Sequence, residues 1–193
     1  MNTPALKSST AGLAELSRLP VIVAVDVCYT DGNATGAGVV FAQWDQREPD
    51  ASIVVSSSGA HDYVPGQFYL RELPSIRSVL QRVEAPVGAV VVDGYVTLGC
   101  DGHAGLGFRL WEALHGAVPV IGVAKSRFAG TPDDSQILRG KSHRPLYVTA
   151  VGLSLVDAKA HIQSMHGPYR IPTLLQRVDQ LCRSPSTERD VRS

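Results

Sequence analysis

Val87-Gly88-Ala89-Val90-Val91-Val92-Asp93-Gly94 is an apolar run that ends abruptly in a carboxylate and a glycine. Its β-branched residues, and a length too short for a helix, predict a strand that is buried on both faces. An Asp is costly to bury without a partner, so its position at the tip of a central strand indicates a nearby metal, cation or ligand. The run from Val21 to Val27 has the same form and carries Asp26. If the two strands are parallel neighbours, Asp26 and Asp93 meet at one edge of the sheet.

Between these two runs the sequence predicts an antiparallel meander followed by a helix. Asp31-Gly32 supplies the positive φ that a tight hairpin needs. Two further apolar runs, 36–42 and 51–57, then complete three strands. Residues from about Phe68 to Val83 have helical spacing, with a kink or restart at Pro74.

Beyond Asp93 the pattern alternates between helices and strands. The predicted elements are a helix near 106–114, a strand at 118–124, a polar loop at 128–144, a strand at 146–151, and helices at 156–165 and 172–182. A short helix is also expected at 6–19, and the last ten residues are expected to be frayed. This order predicts an α/β fold with a ribonuclease H-like mixed sheet, in which an antiparallel meander precedes alternating helices and parallel strands and helices flank the sheet. Periodicity alone leaves a generic α/β sandwich open.

The composition limits the class of protein. A chain of 193 residues that is 44% hydrophobic suits one domain, 1–193, with a full core, and no apolar stretch is long enough to cross a bilayer. Eighteen basic residues balance eighteen acidic ones, so net charge gives no indication of a nucleic-acid partner. Three scattered cysteines without a CxxC pair predict neither a disulfide framework nor a zinc site. The start lacks the pattern of a secretory signal, so we expect a cytoplasmic protein, and we expect a monomer.

Four ordered blocks resemble one known family. They are Val23-Ala24-Val25-Asp26-Val27, then Asp62-Tyr63-Val64-Pro65-Gly66 leading into Leu70-Arg71-Glu72-Leu73-Pro74, then Val91-Val92-Asp93-Gly94, then Val118-Pro119-Val120-Ile121-Gly122-Val123-Ala124-Lys125. A weaker block is Pro145-Leu146-Tyr147-Val148. In order and spacing the chain resembles endonuclease V, a family of deoxyinosine-directed nucleases, from near Val21 to near Arg183.

The resemblance implies a function and a set of site residues. Asp26, Glu72 and Asp93 correspond to the acidic metal-site residues and Lys125 to the active-site lysine. The family cleaves nucleic acid on the 3′ side of inosine or deoxyinosine, one linkage away from it, in DNA repair. Carboxylates can hold Mg²⁺, or Mn²⁺ as a substitute, for hydrolysis of a phosphodiester, and a lysine can offset phosphate charge.

Other residues of these blocks are expected to contact the nucleic acid. The resemblance implies that Tyr63 belongs to a wedge that enters the base stack, and the shapes of Tyr63 and Pro65 suit that role. Val64 lies in the same wedge, and Arg71 is a further nucleic-acid contact. Gly66 and Gly94 lack side chains, so the backbone there can approach an extruded base closely.

The chain also departs from the family pattern. Family members usually continue Val-Asp-Gly with His-Gly and a second histidine, whereas Tyr95 follows Gly94 here. His103 is a candidate replacement, although Asp101-Gly102-His103 is equally consistent with a plain turn. A late histidine is also replaced near Val151-Gly152, and Asp62 stands where a proline is typical. Two alternatives therefore stay open, a protein that binds nucleic acid or a partner without cutting, and a ribonuclease H-like nuclease with another substrate.

The basic run 139–144 has a plainer interpretation. It contains Arg139, Lys141, His143 and Arg144. We expect a solvated loop here, with phosphate contact as the less favoured alternative.

Overall fold

The structure is a computed structural model that describes residues 19–30, 32–58 and 69–184. Its main sheet has seven strands, which are β1 Val21–Thr30, β2 Asn33–Phe41, β3 Ala51–Ser58, β4 Val87–Asp93, β7 Val120–Ala124, β8 Gln136–Ile137 and β9 Leu146–Val151. Their spatial order is β3-β2-β1-β4-β7-β9-β8. A separate two-stranded ribbon pairs β5 Thr97–Leu98 with β6 His103–Ala104.

Four α-helices flank this sheet in the described part of the chain. They are α1 Tyr69–Leu80, α2 Leu106–Ala113, α3 Leu155–Ser164 and α4 Thr173–Arg183. A short 3₁₀ helix covers Asp133–Ser135. None of the helices in the described ranges has both the length and the apolar character needed to span a membrane.

The central prediction from the sequence is confirmed. β1 and β4 are parallel neighbours, with Val25 opposite Val92, so Asp26 lies beside Asp93. β4 ends at Asp93, but β1 continues to Thr30 in its hairpin with β2, so the expectation that Asp26 is at a strand tip is wrong. β1, β2 and β3 form the antiparallel meander. Thr30 pairs with Asn33, and Gly32 has the expected positive φ of 78°, while Asp31 lies outside the described residues. Pro74 lies inside a continuous helix.

The later part of the sheet departs from the predicted run of parallel strands. β4 and β7 are parallel, but β9 runs antiparallel to β7. A parallel neighbour requires a crossover that returns the chain to the starting edge, usually through a helix. The link from β7 to β9 contains only the 3₁₀ helix and β8, so the chain turns back directly. The ribbon β5-β6 and the short strand β8 were not predicted, because two-residue strands leave no readable periodicity. The predicted helix at 6–19 lies outside the described residues except for its last position.

Two apolar clusters cover the two faces of the sheet. Ile22 and Ala24 of β1 face a cluster that includes Val178 and Cys182 of α4. Val23 and Val25 face the opposite cluster, with Ile76 of α1. Because side chains alternate along a strand, Asp26 continues the α4 side of β1. The same alternation places Asp93, two residues after Val91, on the α4 side of β4.

Gly122 of β7 makes room for the chain that follows Asp93. A Cβ at this position would lie 2.6 Å from the Gly94 carbonyl oxygen, 2.7 Å from the Val96 nitrogen and 2.8 Å from Thr149 Oγ1. The Val96 N–H donates to Thr149 Oγ1 at 2.8 Å, so this segment is pinned across β7. Gly122 thus allows the segment after Asp93 to cross the sheet in close contact with it.

We expect Gly122→Ala to lower the free energy of unfolding by about 1–3 kcal/mol, because neither the backbone nor the hydrogen bond can yield without strain. Urea denaturation followed by circular dichroism measures this loss. Gly36→Ala is the matched comparison, since a Cβ there lies 3.0 Å from its nearest neighbour, the Cβ of Ser75. It should cost less. Equal urea midpoints for Gly122→Ala and wild type would contradict this account of β7.

Candidate active site

The structure brings Asp26 and Asp93 side by side, with Asp93 at the carboxyl end of β4 and Asp26 inside β1, one position beyond the Val25–Val92 pair. Together with Asp179 of α4 they form a cluster in which one oxygen from each carboxylate lies within 4.8 Å of the others. Asp93 is the last residue of β4, and its side chain is 32% exposed. The cluster therefore lies at the edge of the sheet and is open to solvent.

Asp179 was missed by sequence reasoning. It extends toward the sheet from α4, whose buried residues are Leu174, Val178 and Cys182. A signal was available, because Asp179 follows the partly buried Leu175 by four positions and so continues the face that packs on the sheet. An acidic residue on the packed face of a helix needs a partner, but the sequence does not show which strand edge that face meets.

Asp26 is held in a fixed orientation by its surroundings. The backbone N–H of Val27 donates to its Oδ1 at 2.8 Å, and the thiol of Cys182 lies 3.5 Å from its Oδ2. Burial and the negative charge of Asp93 raise the pKa of Asp26 to about 6, against the lowering effect of the Val27 N–H and of Lys125. A cation in the cluster would relieve this repulsion.

Glu72 approaches the same carboxylates from the opposite layer of the fold. It lies in the first turn of α1 and is only 6% exposed. Burial, followed by the charges of Asp26 and Asp93, raises its pKa to about 8, while Arg71 opposes this shift. Glu72 is not a member of the close cluster that Asp26, Asp93 and Asp179 form, so its role in the site stays a prediction.

Lys125 lies just beyond β7 and contacts two of the three clustered carboxylates. Its Nζ donates to Asp93 Oδ2 at 2.6 Å and to Asp179 Oδ1 at 3.1 Å. Partial burial alone would lower the pKa of Lys125, but the bonds to Asp93 and Asp179 outweigh it and raise the pKa. The guanidinium of Arg170 donates to the Lys125 carbonyl and fixes the backbone there.

Asp179 has a second cationic partner in Arg183, one helical turn further along α4. Arg183 Nε donates to Asp179 Oδ2 at 3.0 Å. Although partial burial would raise the pKa of Asp179, hydrogen bonds from Arg183 and Lys125 hold it below its usual value. Asp179 is therefore ionised at neutral pH.

Tyr95, rather than a histidine, follows the Asp93-Gly94 pair. Its hydroxyl donates to the Ser126 carbonyl at 2.8 Å and accepts from the Phe128 N–H at 3.1 Å, so it ties the loop after Lys125 to the end of β4. His103 is exposed on β6 and is not among the residues that cluster with Asp26 and Asp93.

The remaining predicted nucleic-acid contacts are placed as follows. Tyr63, Val64, Pro65 and Gly66 lie outside the described residues. Arg71 stacks its guanidinium over the ring of Tyr29, 4.2 Å from the centroid. Gly94 has a φ of 141°, and a Cβ there would meet nothing within 4 Å. The space beside Gly94 is thus open.

The expectation of a solvated basic loop at 139–144 is wrong for Arg139. This residue is 4% exposed, and its guanidinium donates to the Tyr169 carbonyl at 3.1 Å and to the Met165 carbonyl. Arg139 thus fixes the segment between α3 and α4, because a buried guanidinium needs carbonyl acceptors. Lys141, His143 and Arg144 are exposed, as expected.

The three clustered carboxylates fit a hard divalent cation. They offer only oxygen donors, which Mg²⁺ and Mn²⁺ prefer over softer ligands. Two oxygens bound to one Mg²⁺ at about 2.1 Å lie at most roughly 4.2 Å apart, so a separation within 4.8 Å requires only small side-chain rotations. Within the described ranges this is the one group of acidic, histidine or cysteine side chains with such spacing.

Known proteins resemble this chain both in sequence and in fold. The family model described as Endonuclease V matches residues 6–166, which ends before α4. Endonuclease V of Streptomyces coelicolor is 31% identical over 186 residues, covering 84% of this chain and 78% of its own length. The crystal structure of Endonuclease V from Streptomyces avermitilis superposes with a TM-score of 0.66 at 27% identity, covering 90% of this chain and 89% of that one. Endonuclease V from Bacillus subtilis, at 16% identity, has the same fold with a TM-score of 0.68 and covers 92% of both chains.

Proposed function

The chain belongs to the endonuclease V family and is therefore an endonuclease, and we propose that it hydrolyses nucleic acid on the 3′ side of a deaminated adenine. The substrate is nucleic acid that contains inosine or deoxyinosine, and the bond cut is displaced from the lesion by one linkage. Its biological role is DNA repair. The blocks shared with the family support the choice of substrate.

One observation carries this proposal. Asp26, Asp93 and Asp179 converge at a sheet edge that is open to solvent, with Lys125 beside them. Lys125 contacts only Asp93 and Asp179, while the charge of Asp93 still raises the pKa of Asp26, so a divalent cation that bound all three carboxylates would relieve the remaining repulsion. Hydrolysis of a phosphodiester is the chemistry that such a cation serves best.

The roles of the residues follow from their contacts. Asp26, Asp93 and Asp179 would hold Mg²⁺, or Mn²⁺ in its place, and such an ion would supply Lewis-acid stabilisation of the charge that develops on the phosphate. Glu72, on the α1 side, is proposed to complete the metal site, where a bound cation would lower its raised pKa and favour its ionised form. Lys125 supplies positive charge at the rim, where a phosphate would approach.

Further residues are proposed to handle the base. Tyr63, Val64, Pro65 and Gly66 form the wedge by family resemblance. Gly94 presents backbone without a side chain beside the cluster, which suits close contact with an extruded base. Arg71 is proposed as a phosphate contact. It is adjacent to Glu72 in the sequence, and its guanidinium is held over the ring of Tyr29.

We further propose that the protein acts as a cytoplasmic monomer. All residues of the cluster come from one chain. The cysteines Cys28, Cys100 and Cys182 are free thiols, which suits a reducing compartment.

The test is cleavage of a 5′-labelled oligonucleotide that contains a single inosine. We expect one product, ending one linkage beyond the lesion, with Mg²⁺ or Mn²⁺ and none with EDTA. The matched control oligonucleotide carries adenine at the same position and should stay intact. Both oligonucleotides are tested as DNA and as RNA. The amounts of product on a denaturing gel then show whether the enzyme prefers deoxyribose or ribose.

A second candidate function is binding without cleavage, and Tyr95 is the observation that favours it. This side chain occupies the position of a usual family histidine and has its hydroxyl engaged by Ser126 and Phe128. Retention of the inosine strand in a gel shift without any product would support that function. Equal cutting of inosine and adenine strands would instead indicate a ribonuclease H-like nuclease with another substrate.

A further inference from the structure

The ammonium of Lys125 bridges two carboxylates that come from different layers of the fold. It lies 2.6 Å from Asp93 Oδ2 at the end of β4 and 3.1 Å from Asp179 Oδ1 on α4. These are the distances of charge-assisted hydrogen bonds. The Lys125 side chain is nevertheless 39% exposed, so solvent reaches it and surrounding atoms do not lock it in place.

Lys125 is the described cation that contacts the most carboxylates of the cluster. Among the described residues with ion pairs to these carboxylates, Arg183 is the other cation, and it contacts Asp179 alone with a side chain that is 66% exposed. The oxygens that Lys125 engages belong to two of the three residues that would hold a divalent ion. An ammonium and a divalent ion within a few ångströms repel each other strongly, so they compete for these oxygens.

We propose that Lys125 is an exchangeable internal cation, whose ammonium occupies the position between Asp93 and Asp179 until a divalent ion displaces it from at least one of them. This inference rests on the proposed function, since it requires the cluster to take a divalent ion. Ion binding then also releases Lys125, and the freed ammonium becomes available to a phosphate of the substrate.

The surrounding contacts confine this exchange to the side chain. Arg170 donates to the Lys125 carbonyl and also to the Pro145 carbonyl at 2.7 Å. The Tyr95 hydroxyl holds the next carbonyl, that of Ser126, at 2.8 Å. Rotation about the flexible four-carbon stem of the lysine is therefore sufficient, and the loop after β7 stays in place.

The test measures Mn²⁺ affinity directly, by isothermal titration calorimetry and by the electron paramagnetic resonance signal of free Mn²⁺, without substrate. At pH 8 we expect Lys125→Met to bind Mn²⁺ about tenfold more tightly than wild type, because the competing charge is gone. Lys125→Gln, which keeps a polar side chain, should show a similar gain. A thermal unfolding curve for each variant establishes that it is folded.

Lys159→Met is the matched control, because it also removes one lysine charge. Its ammonium donates to the Asp134 carbonyl instead of the cluster, so its Mn²⁺ affinity should stay within about twofold of wild type. If wild type binds Mn²⁺ and the Lys125 variants bind it no more tightly, the exchange proposal is overturned and the proposed function is left intact. Absence of Mn²⁺ binding in wild type and in both Lys125 variants overturns both, and loss of inosine cleavage would accompany it.

Discussion

Asp93→Asn is expected to slow cleavage of the inosine-containing strand by about a thousandfold. Asparagine keeps the size of the side chain but removes the negative charge that faces Asp26 and Asp179 and that pairs with Lys125 at 2.6 Å. The variant then binds a divalent ion less tightly, and Lys125 loses one of its two carboxylate partners. Single-turnover cleavage at saturating enzyme measures the chemical step.

The control for Asp93→Asn is Asp45→Asn. Asp45 is exposed in the turn between β2 and β3, at the end of the sheet opposite to the cluster, because β2 runs away from that edge. Its replacement should leave the cleavage rate within about twofold of wild type. A rate for Asp93→Asn within tenfold of wild type would remove Asp93 from the catalytic site.

Stability separates this result from simple misfolding. Asp93 and Asp26 repel each other, and this repulsion contributes to the raised pKa of Asp26. Removing the charge of Asp93 relieves that repulsion, while the lost pair with Lys125 is a partly exposed one of small value. We therefore expect the free energy of unfolding of Asp93→Asn to lie within about 1 kcal/mol of the wild-type value although activity is lost. This combination is the usual signature of a functional residue.

The core of the fold could be predicted from the sequence because its signals are local. Apolar runs such as the one that ends in Asp93 specify buried strands, and the Asp31-Gly32 pair specifies the hairpin between β1 and β2. The direction of β9 could not be predicted in the same way. It depends on whether a helix lies between β7 and β9. The sequence of the polar loop 128–144 does not show clearly that such a helix is missing.

The candidate site was predictable only where an apolar run marks it. Asp93 ends an apolar run at the end of β4, and Asp26 interrupts a similar run inside β1; their meeting follows from parallel pairing of the two strands. Asp179 depends instead on how α4 lies across the sheet, which is a tertiary relation without a local pattern. Arg139 shows the same limit, because its burial depends on carbonyls about thirty residues away, such as that of Tyr169.

Glu72→Gln is expected to remove most of the pH dependence of stability between pH 5 and 9. In the folded chain burial and the charges of Asp26 and Asp93 raise the pKa of Glu72 from 4.5 to about 8. The folded state therefore keeps a proton that the unfolded state has already released. The resulting stability is fully present below the unfolded pKa and is lost as pH rises through about 8, an effect on the order of 4 kcal/mol.

Urea denaturation in EDTA, repeated across this pH range, measures the effect. Wild type should lose stability steadily as pH rises, with Asp26 contributing at the lower end because its pKa is about 6. Glu72→Gln cannot ionise, so its unfolding free energy should be nearly flat above pH 7 and should exceed that of wild type at pH 9. Glu48→Gln, at a side chain that is 78% exposed, should follow the wild-type curve. If Glu72→Gln retained the full wild-type slope, the buried proton would have to reside elsewhere, and Glu72 would lose its place beside the two aspartates.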